Sequence, residues 1–350
     1  RTYSETRDLC EQIYQDTGNV VAGTVEWDYW LAEGLKKFST YRPHIVDVIF
    51  KIETRFGDDV TGTTDKLTDS VKSQFLSGDA TDEKVVHNVT DNTFAVVTAQ
   101  DSTSVYSISK DIFDANEAYR IYNKRCTNNR QIYIGDVIDY LWIDSVEYPV
   151  GTKRNWKEFD GDVIEIMVDT LPDTDSTLDR LPNEDVLVRF VKPHKMFFVA
   201  GTTTGRIATT TTAGTLSISA GTLGTGSIFA GDEFHLENQR LVYTVTAQAV
   251  ITSNTATFSF FPGLDTDAPN TTDVITFRTN TLKPQDEEIF GRFVVSRAAM
   301  SNSRGFINKV EPGGPGVWAD YIGFQRNLYN EVIGELRGSR PRSKRLYTRG

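Results

Sequence analysis

The residue types that chemistry needs occur in several places in this chain, and their spacing decides what each can do. Asp16-Thr17-Gly18 has the letters of the aspartic-protease motif, in which two carboxylates share a proton. It occurs once and follows a helical pattern rather than an apolar strand, so it reads as the C-terminal turn of a helix. Asp169, Asp173, Asp175 and Asp179 crowd one loop and carry the oxygen ligands that calcium takes. The EF-hand spacing fails, because Leu178 stands where a ligand is needed and no Gly makes the turn. A solvated acidic loop and a calcium loop both remain open readings. His44, His87, His194 and His235 are too scattered to form a local ligand pair. No G-x-S-x-G, P-loop or G-x-G-x-x-G pattern occurs, and Asn88-Val89-Thr90 and Asn270-Thr271-Thr272 are glycosylation sequons by pattern only. The acidic loop apart, these residues predict no metal ligand set, and they predict no catalytic group, no cofactor and so no enzyme.

One more group is basic. Arg337, Arg340, Arg342, Lys344, Arg345 and Arg349 follow one another in residues 337–350 without an acid, and leave −17 on residues 1–336 against −11 for the whole chain. Such a segment cannot bury a core, so it is expected to be disordered when free. Leu346 and Tyr347 lie inside the run and supply an apolar anchor between charges, as docking segments do.

The elements that must position these residues follow from composition and periodicity. At 350 residues, with 39% hydrophobic and 24% charged residues, the chain can bury several cores. Net charge of −11 argues against nonspecific DNA affinity of the bulk surface. Two cysteines far apart, Cys10 and Cys126, fit neither a disulfide framework nor a Cys-type zinc site. No apolar run approaches the ~20 residues that span a bilayer, so no membrane partner is expected.

The region from Tyr140 to His194 organises the rest. It holds short runs rich in Val, Ile, Tyr and Phe, separated by Pro149-Val150-Gly151, Asp160-Gly161-Asp162 and the polar stretch 172–183, which reads as three antiparallel strands. Trp142 and Trp156 are expected to be buried by that sheet. Helices are expected over 3–16 and from Val25 to Ser39, the latter with Thr24 as N-cap and a Trp27, Trp30, Leu31, Leu35, Phe38 stripe. A strand with Ile45, Val48, Phe50 and Ile52 follows. Short strands at 85–86, 94–97, 105–108 and 119–122 make a small β domain. A second begins with a Thr/Gly-rich linker or edge loop from Thr202 to Thr215. Helices over 285–303 and from Val317 to Arg337 close the chain, the latter burying Trp318, Tyr321, Ile322, Leu328, Tyr329, Val332 and Leu336.

Val146-Glu147-Tyr148-Pro149, then Trp156 to Phe159, then Val188 to His194, taken in that order with the helix from Trp27 to Pro43, resemble the head-to-tail adaptor (connector) proteins of tailed bacteriophages. Both β insertions resemble modules that recur in phage virion proteins. The resemblance implies an α+β fold, with N- and C-terminal helices forming a bundle on a central antiparallel sheet and two small all-β domains inserted. The expected division is core at 1–56, 132–200 and 281–336, inserted domains at 57–131 and 201–280, and the basic tail at 337–350. It implies a structural virion protein of the neck between capsid and tail, assembled in the host bacterial cytoplasm. The implied partners are a portal protein, a tail or tail-completion protein and eleven further copies in a dodecameric ring, with genomic DNA passing through. The tail residues Arg337, Arg340, Arg342, Lys344, Arg345, Leu346, Tyr347 and Arg349 are expected to dock on the portal. The alternative is a β-rich tail or capsid-surface adhesin or decoration protein.

Overall fold

The computed structural model describes residues 3–15, 22–169, 185–196, 204–239, 241–268, 273–278, 280–306 and 315–338. Among them the chain is mostly β, with 21 strands in several sheets, one a closed six-stranded barrel, and four helices. This corrects the expected helical bundle with one central sheet. Most short apolar runs pair at period two and bury one face each, so strands build four of the five apolar clusters and helices one.

Helix α1 spans Tyr3–Tyr14 and α2 spans Thr24–Ser39. Thr24 is the first helical residue, not the cap. Gly23 caps instead, its carbonyl accepting from the Glu26 and Trp27 amides while its own N–H donates to the Glu26 carboxylate at 2.9 Å. Strand β1 (His44–Lys51) turns Val46 and Val48 inward, with Phe50 packed against the same core, and leaves Ile45 exposed.

The first β unit comprises β2 (Phe56–Asp58), β3 (Lys66–Thr68), β4 (Val85–Asn88), β5 (Thr93–Ser102), β6 (Val105–Ile108) and β7 (Ala118–Tyr122). Their order is β2-β7-β4-β5-β6-β3, and the two outer strands approach until the Val60 N–H donates to the Thr68 carbonyl at 2.8 Å. Inside, Phe75 stacks on Tyr106 with ring centroids 3.9 Å apart.

The chain then forms β8 (Gln131–Tyr133), β9 (Trp142–Glu147), β10 (Lys153–Arg154), β11 (Trp156–Asp160), β12 (Val163–Ile166) and β13 (Asp185–Lys192). These are not one three-stranded sheet. One sheet runs β1-β13-β9-β10 and the other β11-β12-β8, with Val48, Val188 and Phe190 of the first facing Ile132, Ile164 and Ile166 of the second. The switch between sheets takes one residue, Asn155, because β10 pairs with β9 and β11 with β12. Trp142 lies on the outer face of its sheet, opposite Val191, and is 47% exposed, and Trp156 is half-buried; both were expected inside.

The barrel closes in the order β14-β15-β20-β18-β17-β21, from β14 (Thr204–Ile207), β15 (Ser217–Gly221), β17 (Glu233–Leu236), β18 (Val242–Val245), β20 (Ala256–Phe261) and β21 (Val274–Phe277). Strands β16 (Gly226–Ile228) and β19 (Ala249–Ile251) pair beside it. The Thr/Gly-rich stretch expected as a linker or edge loop contains β14, which pairs with β21 on one side and β15 on the other. Five rings, Phe234, Tyr243, Phe258, Phe260 and Phe277, fill the interior, with Phe234 within 5.7 Å of each of the others.

Helices α3 (Pro284–Phe306) and α4 (Pro315–Gly338) return to α1 and α2. Phe38 of α2 meets Phe290 and Phe293 of α3 at 5.3 and 6.0 Å, and Tyr329 of α4 stacks on Phe293 at 5.7 Å. Gly34 permits the α2–α3 approach, since a Cβ there would sit 2.7 Å from Val294 Cγ2. Trp27, Leu31, Leu35 and Phe38 are buried, as are Val332 and Leu336, whereas Trp30, Ile322, Leu328 and Tyr329 are half-buried. The side chains of Trp318 and Tyr321 lie outside the described residues.

Candidate functional site at two charged junctions

Both β units leave the sandwich and return to it at points tied by polar side chains, and the two ties differ in chemistry. At the first, the chain leaves β1 through Glu53, Thr54 and Arg55, all buried. The Arg55 guanidinium, 4% exposed, forks onto two carboxylates. Its Nε and Nη2 donate to Glu53 at 2.9 Å each, and Nη1 and Nη2 donate to Asp79 at 2.7 and 2.9 Å. Tyr106 Oη also donates to Asp79, and Lys84 Nζ stands 3.3 Å from Glu53 Oε2. Burial opposes the guanidinium charge, but Glu53 and Asp79 outweigh it and raise the pKa of Arg55 above its ordinary value. Two cations and two carboxylates thus balance in a closed set. Lys84 also donates to Asn123 Oδ1 at 2.6 Å, and Asn123 Nδ2 to the Lys51 carbonyl at 2.8 Å, which binds the outgoing chain to the returning one.

The second junction gathers residues from β1, β13, the barrel and the start of α3. The Lys195 N–H donates to Thr281 Oγ1 at 2.9 Å and the Thr281 N–H to the Lys195 carbonyl at 3.0 Å, so the strands running into and out of the barrel are clasped. His194 Nδ1 lies 3.0 Å from the same Thr281 hydroxyl, and its backbone N–H donates to Ser39 Oγ at 2.8 Å, which brings in the end of α2. The His44 ring is 5.8 Å from that of His194. His44 Nε2 stands 3.5 Å from Glu233, whose carboxylate already accepts from Arg278 at 2.8 Å. Lys195 pairs with Asp232 and Arg42 with Asp286.

Burial, then the positive charges of Arg278, Lys195, Lys192 and Lys283, push the His44 pKa down to about 4. Burial, then His44, push His194 down to about 4, so both imidazoles are neutral at pH 7. The contact between His44 and Glu233 is therefore one between a neutral ring and a carboxylate, not an ion pair. Lys192, paired in register with His44, is lowered to about 8 by burial, with Asp232 working in the opposite direction.

Of the residues singled out for chemistry, His44 and His194 are brought together and the other two histidines are not. His87 sits between Phe94, Tyr122 and Asn92 in the first β unit, and His235 is exposed on β17. Asn88 is buried and holds its own turn through the Thr90 and Asp91 amides. Arg337 is exposed in the last turn of α4 with its guanidinium 6.0 Å from the Tyr41 ring centre. Arg340, Arg342, Lys344, Arg345, Leu346, Tyr347 and Arg349 lie outside the described residues, as do Asp16-Thr17-Gly18, the acidic loop beyond Asp169 and the sequon at Asn270. Among the described residues no three of His, Cys, Asp and Glu converge as a metal site would require. Nor is any described helix long and apolar enough to cross a membrane. Both junctions escape sequence inspection because their members are brought together by strand pairing and chain return, not by spacing. No protein-family model matches the chain, and neither a curated protein nor a solved structure shows significant similarity to it.

Proposed function

We propose that the chain is a head-to-tail adaptor of a tailed bacteriophage, a structural ring component that joins portal to tail and lets DNA pass. The observation that carries this reading is the ordered set of motifs Val146 to Pro149, Trp156 to Phe159 and Val188 to His194, together with the α2 sequence from Trp27 to Pro43. Three features support it. Tyr148 and Phe190 are core residues of the sandwich, and Trp27, Leu31 and Phe38 are core residues of the helical cluster, so the motif positions carry packing. Helices from both ends of the chain share that cluster. The −17 charge of residues 1–336 suits a conduit to which phosphates must not adhere.

On this reading the basic segment after Leu336 docks on an acidic portal groove, with arginine forks gripping carboxylates and Leu346-Tyr347 as anchor. Truncation after Leu336 is expected to weaken portal co-sedimentation at low salt, and the intact chain to lose binding as salt rises. A truncated chain that binds as tightly as the full one refutes the role of the tail. The two β units, with a barrel surface dense in Ser and Thr, favour the second reading, an adhesin or decoration protein, which predicts trimers and no affinity for a portal.

A further inference from the structure

The barrel is electrically two-sided. Residues 207–231 and 241–264 contain no Asp, Glu, Lys, Arg or His, in a chain of net charge −11. Folding puts these two stretches next to each other, because β15, β20 and β18 are consecutive in the barrel. Charges collect elsewhere on the barrel. Asp232, Glu233 and Arg278 belong to the β17 and β21 side and engage the junction with the sandwich.

On the neutral arc the inward side chains, such as Ile218, Phe258 and Phe260, form the core. The outward ones are hydroxyls in cross-strand rows, Ser217 opposite Ser259 and Ser219 opposite Thr257. Phe261 and Val242 continue the outer face and are 36% and 53% exposed.

We propose that this arc is a contact surface between copies of the chain. Two copies of an acidic protein repel each other, and a self-contact that buries carboxylates adds their desolvation to that repulsion. An arc without charges avoids both costs, and interface centres are depleted in charge for the same reason. A hydroxyl both donates and accepts, so a face of hydroxyls is complementary to another like itself, whereas a face of one charge sign is not. Phe261 and Val242 supply the apolar part. The inference goes beyond the ring proposal and does not rest on it: a face that meets its own copy closes a two-fold pair, whereas a ring is built by a head-to-tail contact, so the two fail separately.

The test measures self-association of the full chain by sedimentation, and again for the outward double substitution Thr257→Glu/Ser259→Glu. The wild type is expected to associate more tightly as salt rises from about 0.05 M to about 0.5 M, because screening removes repulsion without breaking ion pairs. The double variant, folded by circular dichroism, is expected to associate at least about tenfold more weakly, since it sets like charges against each other. If it fails to fold, the single change Ser217→Glu on the adjacent strand carries the same expectation. Association that weakens with salt, or that is unchanged in the folded variant, overturns the inference and leaves the ring proposal standing. A chain that remains monomeric to about 100 μM, where a contact of ~6 kcal/mol would register, also overturns it. The adaptor reading is then decided by assembly on a portal.

Discussion

The two junctions solve the same problem, how to hang a β unit on a sandwich, with opposite electrostatics. Around Arg55 every charge is buried and answered, and the cations and carboxylates balance. Around His44 and His194 burial is uneven, with His194, Asp232 and Asp286 buried but His44, Lys192, Lys195, Glu233 and Arg278 half-buried. Lysines and arginines crowd the rings, and neutrality of the imidazoles keeps the cluster tolerable. A closed, buried set is insensitive to salt and to pH near neutrality, but it fails badly when one member is removed. A cluster that depends on uncharged histidines fails gradually, through protonation. The first β unit is therefore expected to be a rigid attachment and the barrel a releasable one.

The largest expected effect comes from breaking the first junction. Arg55→Met leaves Glu53 and Asp79 buried without their main partner and is expected to cost about 3–5 kcal/mol in urea unfolding. A loss below about 1 kcal/mol would show that water reaches these carboxylates, and the contrast between the junctions would collapse.

Acid is expected to act next, and on the barrel alone. Each imidazole has its folded pKa depressed from 6.5 to about 4. The detached state therefore binds protons first, so attachment is at full strength above pH 6.5 and is lost progressively as pH falls towards 4. At pH 5 the loss is about 2 kcal/mol for each histidine. Amide exchange in β14 and β21 is expected to accelerate between pH 7 and pH 5 while β4 and β7 stay protected. His44→Gln/His194→Gln is expected to flatten that dependence. If the double variant keeps it, the neighbouring carboxylates are responsible instead.

The smallest effect sharpens the comparison. Lys195→Ala removes a partly exposed ion pair with Asp232 and is expected to cost the barrel about 0.5–1 kcal/mol at low salt. The cost is expected to shrink in high salt, whereas Arg55→Met is expected to show the same loss at both. Equal salt dependence at the two sites would mean that burial does not separate them.

Much of the local structure is legible in the residues. Val85-Val86, Phe94 to Val97, Val105 to Ile108 and Tyr119 to Tyr122 all lie in strands because period-two alternation is a property of the strand itself. The α2 stripe is legible for the matching reason at helical period. Assembly is not. Asn155 carries no mark that the chain changes sheets there, so β9 to β13 read as one sheet although they form parts of two. Trp142 looks like a core residue by type, and only its place on the outer face of a sheet explains why it is exposed. His44 and His194 meet because β1 pairs with β13 in the register that sets His44 against Lys192, a fact of long-range pairing invisible to spacing. Arg55 is as opaque, since its partner Asp79 belongs to a turn between strands of another unit.

The central claim is the ring. Its most direct test is the mass of the complex formed when the purified full chain is mixed with the twelvefold portal protein that the adaptor reading requires. The adaptor reading predicts a single species with twelve copies of the chain on each portal, formed at low salt and lost on truncation after Leu336. Free trimers that leave the portal bare would contradict it.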